Sequence, residues 1–207
     1  VYLLNNAIDL DKFKYNEKVR IKKRKELNIA DDTLVIGHVG RFVEQKNHRF
    51  LIDIFNEVHK QNSKSVLLLA GQGPLMNEMM KKVKRLGLGD SVKFLGQRHD
   101  IEQLYQAFDV FCLPSLYEGL GMVLIEAQCS GLYCVTSNEV PNIVNVADIV
   151  KFCDLRNIKE WKENILIRQN TRKDFSKKLT ECGYNIKKEN KKLVLKYIEM
   201  EKRNEYY

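Results

Sequence analysis

The sequence has no apolar run approaching the ~20 residues that a membrane span requires, and no signal-peptide pattern opens it. It has no Cys-x-x-Cys pair. Its five cysteines, at 112, 129, 134, 153 and 182, are odd in number. Four lie in or beside apolar runs, where a free thiol behaves as a small hydrophobe. This speaks against a disulfide framework or a zinc cluster and for a reducing compartment. No His, Cys and Asp group has metal-ligand spacing, so no metal is expected. Gly-x-Gly-x-x-Gly is missing, which weakens any dinucleotide dehydrogenase. Aromatic residues do not interleave with the lysines as a base-stacking platform requires, so nucleic acid is not an expected partner. Internal repeats and low-complexity linkers are absent. So is an initial methionine: the chain opens at Val1 and is expected to be a piece of a longer protein.

What is present suits a folded core. The chain has 207 residues, 44% hydrophobic and 30% charged, enough for one large domain or two small ones. Its net charge of +8 is uneven, with much of the Lys and Arg in residues 12–25 and 172–203. Such an excess suits phosphorylated ligands or an anionic membrane surface; the simplest account is two solvated helical faces.

From residue 34 two textures alternate. Short Val-, Ile- and Leu-rich runs at 34–40, 65–71, 92–96, 110–114 and 133–136 are bounded by Gly, Pro or Ser and read as buried strands. Longer amphipathic stretches separate them. Residues 48–61 place Leu51, Ile52, Phe55 and Val58 on one helical face; residues 75–87 end at Gly87, a C-cap residue; residues 101–108 follow Asp100, a good N-cap. A further helix follows Gly121 and runs to about Ser130. The alternation predicts βαβ units, a doubly wound parallel sheet and an α/β fold. After a last strand-like run at 146–152 the pattern is helical. Residues 187–203 read as one amphipathic helix, packed on the body or on a neighbour outside this chain.

In such sheets ligands bind beyond the carboxyl ends of the strands. Arg41 and Lys46 follow the first strand, and a guanidinium fork with a lysine suits a diphosphate, although alone they are equally an ordinary surface loop. Gly71 lies in a glycine turn after the second strand, and Gln97 and Arg98 follow the third. The fourth is followed by Pro114-Ser-Leu-Tyr-Glu-Gly-Leu-Gly, in which Glu118 precedes Gly119, Leu120 and Gly121. Gly121 opens a helix whose free N–H groups form an anion site. Glu126 lies in that helix among apolar residues. A buried carboxylate without a partner is costly. The vicinal hydroxyls of a ribose would satisfy it; the alternative is a side chain that faces solvent or pairs with a lysine. His38 reads as a satisfied core histidine, His48 as structural, His99 as a loop residue, and Trp161 and the Tyr206-Tyr207 end as core or interface anchors.

Taken together, G-R-x-x-x-x-K, A-G-x-G-P, F-L-G and P-S-x-x-E-G-x-G-x-x-x-x-E-A resemble the nucleotide-sugar-binding half of the retaining glycosyltransferases of family 4, the group 1 transferases of the two-domain GT-B fold. The resemblance covers about residues 1–155, and residues 3–13 are similar to the family's interdomain segment, with Ala7 where glycine is usual. It implies a Rossmann-like donor domain at 1–165 with C-terminal helices at 166–207. It implies that Arg41 and Lys46 bind the donor diphosphate, and that the Gly119–Leu120–Gly121 backbone cradles diphosphate and sugar. Glu118 would be the catalytic-site carboxylate on the sugar hydroxyls and Glu126 the ribose acceptor. Gln97 and Arg98 would lie beside the base, and Gly71 would shape the pocket. No cofactor or metal is implied. The expected partners are a nucleotide-diphosphate sugar (UDP favoured over GDP), a glycan or lipid-linked acceptor, and an N-terminal acceptor domain that this chain lacks, so that the chain alone would be inactive. Work in surface polysaccharide synthesis, in the cytoplasm or at the inner membrane face, is the expected setting. A non-catalytic nucleotide-sugar or membrane-scaffolding module and a GT-B nucleotide-sugar epimerase are the alternatives.

Overall fold

The computed structural model describes residues 6–167 and 172–204; residues 3–5 of the interdomain-like segment and the Tyr206-Tyr207 end lie outside the described residues. Six parallel strands form one sheet: β1 (Leu34–Val39), β2 (Ser65–Ala70), β3 (Val92–Gly96), β4 (Val110–Leu113), β5 (Tyr133–Ser137) and β6 (Val150–Cys153). Their spatial order is β3-β2-β1-β4-β5-β6. The chain therefore winds outward in one direction from β1, returns, and winds outward in the other from β4. The crevice where that reversal opens is the position at which doubly wound sheets bind ligands.

Strand side chains alternate between two cores, as the period of two demands. Leu34, Ile36, Leu67 and Leu69 face α3 (His48–Gln61), α4 (Met76–Arg85) and α7 (Ile158–Leu166), through Leu51, Phe55, Met79, Val83 and Trp161. Val35, Val66 and Leu68 face α1 (Leu10–Phe13), α5 (Ile101–Ala107), α6 (Met122–Cys129) and α8 (Ser176–Glu181), through Leu10, Tyr105, Leu124, Ile125 and Leu179. Continuous apolar strands are what a sheet covered on both faces needs. Trp161 is fully buried and its indole N–H donates to the Asp154 carbonyl at 3.0 Å. Four of the five cysteines are buried and all five are free.

Two expectations change. Asp100 precedes α5 but its side chain makes no cap bond; Arg98 and Lys23 take the carboxylate instead, at 2.7–2.8 Å. The basic segment of α2 (Glu17–Glu26) is not simply a solvated face. Arg24 and Lys23 are buried, and Arg20 and Arg24 both reach Asp109. Arg172 is turned inward in the same way. It donates to the carbonyls of Tyr105, Gln106, Phe108 and Ser130, and stacks over Tyr15. The carbonyls ending α5 have no intrahelical donor, so cations at that end satisfy them. The helix α9 (Ile186–Asn204) is tied to the body at its start, where its first N–H donates to the Ile8 carbonyl and Glu189 is buried. Val194, Leu195, Tyr197, Ile198 and Met200 are exposed.

Candidate active site

The loops after β1 and β4 meet at the reversal point. The N–H of Leu116 donates to the Gln45 carbonyl at 2.8 Å, and the Gln45 amide donates to the Tyr117 carbonyl at 2.9 Å. This docking brings Lys46 and Glu118, far apart in sequence, into an ion pair of 2.5 Å. Ser115 donates to the same Glu118 oxygen at 2.6 Å. The pair is largely shielded, with side-chain exposures of 16% for Lys46 and 8% for Glu118. The cation and the carboxylate assigned to different parts of a ligand thus neutralise one another in the free protein.

Behind this pair lie two buried histidines. His38 accepts the expected core role only in part: Nδ1 bonds the Cys112 carbonyl at 2.8 Å, which fixes the neutral tautomer with the proton on Nδ1, but Nε2 has no partner. His48 stacks on Phe42 at 3.9 Å and meets His38 edge-on at 4.5 Å, with both ring nitrogens unpartnered. Burial pulls His38 down to about 4, and Lys46 acts in the same direction, against the Cys112 bond and Glu118. Burial also pulls His48 down to about 2, helped by His38 and Lys46.

Beside the pair, Arg41, Gly71, Gln72, Gly73, Pro74 and Gln97 line an open cleft of about 590 Å³. Gly71 has φ +139°, and a Cβ there would stand 2.0 Å from the Gly40 carbonyl oxygen, so the turn needs glycine for both conformation and space. The Arg41 side chain is exposed in this cleft. Arg98 is not part of its lining; its guanidinium lies on Asp100 and Glu26.

Gly121 adopts φ +77° as the N-cap of α6, where no side chain caps the helix. A Cβ at Gly119 would meet no protein atom within 4 Å, so packing within the chain does not require glycine there. Leu120 is half-buried against the core. Glu126 is half-buried and makes no ion pair with a lysine among the described residues. Its Oε2 accepts from the hydroxyl of Tyr105 at 2.9 Å. Burial raises the Glu126 carboxyl, and the Tyr105 bond works the other way.

Of the residues singled out in the sequence, the structure brings together two clusters at these strand ends: Arg41, Gly71 and Gln97 around the cleft, and Lys46 with Glu118 at the loop junction. Sequence reasoning missed Tyr105, Ser115 and Gln45. Ser115 was findable from its place three residues before Glu118, whereas no spacing links Tyr105 to Glu126. Among the described residues no three His, Cys, Asp or Glu side chains form a metal-binding group.

A parallel sheet of this order, with charged loops at its reversal point, is a Rossmann-like domain of the kind that makes up one half of the GT-B fold. The fold agrees with the Anabaena protein Alr3699/HepE solved with UDP and glucose: TM-score 0.72 at 21% identity, over 95% of this chain and 56% of that one. The chain belongs to the glycosyl transferases group 1 family, whose model matches residues 19–190. EpsF of Bacillus subtilis (strain 168), provisionally named a glycosyltransferase, is 43% identical over 145 residues, which is 70% of this chain and 38% of that protein. The Escherichia coli UDP-Gal:alpha-D-GlcNAc-diphosphoundecaprenol alpha-1,3-galactosyltransferase is 33% identical over 141 residues, or 67% of this chain and 36% of that protein. The chain therefore spans little more than a third of the length of these curated relatives.

Proposed function

We propose that this chain is the donor-binding half of a retaining glycosyltransferase. It would move a sugar from a nucleotide diphosphate, UDP rather than GDP, to a glycan or lipid-linked acceptor in surface polysaccharide synthesis. The observation that carries the proposal is the meeting of Lys46 and Glu118 at the reversal point between β1 and β4. A structural ion pair has no need of that crevice, of an uncapped helix start beside it, or of a glycine at 119 that packing does not demand. The UDP in the HepE complex and in the name of the Escherichia coli relative supports the choice of base.

In this reading a donor diphosphate draws Lys46 away from Glu118 and takes Arg41 as well. The released carboxylate then accepts hydroxyls of the transferred sugar, with Ser115 holding its other contact. Lys46, Arg41 and the N–H groups opening α6 stabilise the charge that grows on the departing nucleoside diphosphate, so the chemistry requires no metal. Gly119, Leu120 and Gly121 supply backbone close to the diphosphate, and Glu126 takes the ribose. Gln97 lies where the base would enter the cleft; Arg98 acts there only if it leaves Asp100. Residues 1–165 form the donor domain and 166–207 the closing helices. An acceptor domain elsewhere in the protein completes the site, and without it this chain binds donor but does not transfer sugar.

Isothermal calorimetry tests the assignment. The chain is expected to bind UDP and UDP-sugars more tightly than GDP, with Lys46→Met and Glu126→Ala each weakening UDP by roughly tenfold or more, the worth of one lost charge-assisted hydrogen bond. Equal affinity for UDP in all three proteins would refute it.

A specific observation also favours a membrane-surface role, which would place the protein on the cytoplasmic side. The exposed apolar residues of α9 stand among Lys187, Lys188, Lys191 and Lys196, a pattern that suits an anionic lipid interface. No helix among the described residues is long and apolar enough to cross a membrane. Co-flotation with phosphatidylglycerol vesicles is expected for the full chain and not for one ending at residue 185; equal flotation would remove the idea.

A further inference from the structure

Tyr105 lies in α5, on the side of the sheet opposite the Lys46 loop's helix, and has no obvious link to a donor. It is fully buried. Its ring is held by Phe13, Phe108 and Phe111, at centroid distances of 5.5–5.9 Å, and its carbonyl is held by Arg172 at 3.0 Å. A ring so confined has little freedom to move its hydroxyl. That hydroxyl stands 2.9 Å from Glu126 Oε2 and 3.1 Å from the Val123 carbonyl oxygen. A phenol has one proton to give. With Glu126 ionised the proton goes to Oε2; with Glu126 protonated the carboxyl donates to the phenol, and the phenol donates to Val123. The geometry serves both states, and the bond to Oε2 favours the ionised one. Glu126 Oε1 has no hydrogen bond to a described residue.

We propose that Tyr105 is a positioning residue for nucleotide recognition: by fixing Oε2 of Glu126 it leaves Oε1 oriented as the acceptor for ribose hydroxyls, and so sets the preference of the chain for ribonucleotide over deoxyribonucleotide donors. The proposal rests on the assignment of Glu126 as the ribose acceptor. A glutamate on a helix has three side-chain torsions, and a carboxylate that must choose its rotamer at each binding event loses part of its affinity to ordering. Tyr105 removes that choice before the ligand arrives.

The test is calorimetry on the full chain with UDP and with 2′,3′-dideoxy-UDP. Tyr105→Phe keeps the ring and its packing, and a thermal melt shows whether the fold is retained. The parent is expected to prefer UDP by roughly tenfold or more. Glu126→Ala abolishes that preference. Tyr105→Phe lowers it by roughly threefold to fivefold through UDP alone, with the affinity for the dideoxy ligand unchanged. Tyr105→Phe added to Glu126→Ala has no further effect, because the tyrosine acts only through the glutamate. If Tyr105→Phe leaves the ratio intact while Glu126→Ala abolishes it, the role of Tyr105 is overturned and the donor assignment stands. Equal weakening of both ligands by Tyr105→Phe shows a packing role and also overturns it. If Glu126→Ala itself leaves the UDP preference unchanged, the ribose assignment falls and the positioning role falls with it.

Discussion

Replacing Lys46 with Met would leave Glu118 in a shielded position without its cation. Removing one partner of a fully buried ion pair costs about 3–5 kcal/mol, whereas an exposed pair is worth about 0–1 kcal/mol. With exposures of 16% and 8% this pair lies near the buried limit. The Ser115 hydroxyl continues to donate to Glu118 and offsets part of the loss. The expected destabilisation is therefore about 2–3 kcal/mol, or roughly 5–10 °C in Tm for a chain of this size. Removing both charges strands neither, so Lys46→Met with Glu118→Leu should recover most of the stability. Urea unfolding of the parent, the single variant and the double variant measures this directly. UDP should stabilise the parent more than either variant, because both keep Arg41 but lack the second diphosphate cation. A single variant within about 0.5 kcal/mol of the parent would show that the pair is solvated and flexible, and the account of a site held neutral until ligand arrives would be wrong.

Further outcomes follow from other parts of the structure. Gly71→Ala places a methyl group 2.0 Å from a backbone oxygen at a left-handed φ, so a loss of about 2 kcal/mol or more is expected in the same urea assay, together with weaker UDP binding. His38 and His48 are held neutral by burial, with folded values below the unfolded value near 6.5. Their contribution is full above pH ~6.5 and is lost as pH falls, down to about 4 for His38 and about 2 for His48. His48→Phe should keep the stack on Phe42 and flatten the fall in unfolding free energy between pH ~5.5 and ~4.5 by about 1.4 kcal/mol per unit; an unchanged slope would refute the neutral assignment. Arg172→Met strips donors from four carbonyls around the end of α5, with an expected cost of about 3 kcal/mol and faster amide exchange in that helix; a change below about 1 kcal/mol would mean that water replaces the guanidinium.

Local physics made much of this protein legible from its residues. The strands are short, β-rich and bounded by breakers, and the 48–61 helix carries its apolar face at helical spacing; both signals act within a few residues and survive in any fold that buries them. The parallel sheet, and the strand ends at which a site would lie, follow from the alternation of such elements. The partners of charged groups did not follow. Glu126 was expected to meet ribose hydroxyls, with solvent or a lysine as the alternative, and its bond to Tyr105 within the chain was not foreseen; Asp100 was expected to cap a helix and binds Arg98 and Lys23. Arg24 and Arg172 belong to segments that look solvated, yet Arg24 is buried and Arg172 is half-buried with its guanidinium on backbone carbonyls. Sequence alone determined the element types and the winding of the sheet, and with them the edge at which a site is to be sought, because propensity and hydrophobic period are properties of neighbouring residues. Only the tertiary structure decided that Lys46 meets Glu118 and that Tyr105 holds Glu126, because an ion pair or a buried hydrogen bond depends on where loops distant in the chain are brought together, and no local pattern encodes that distance.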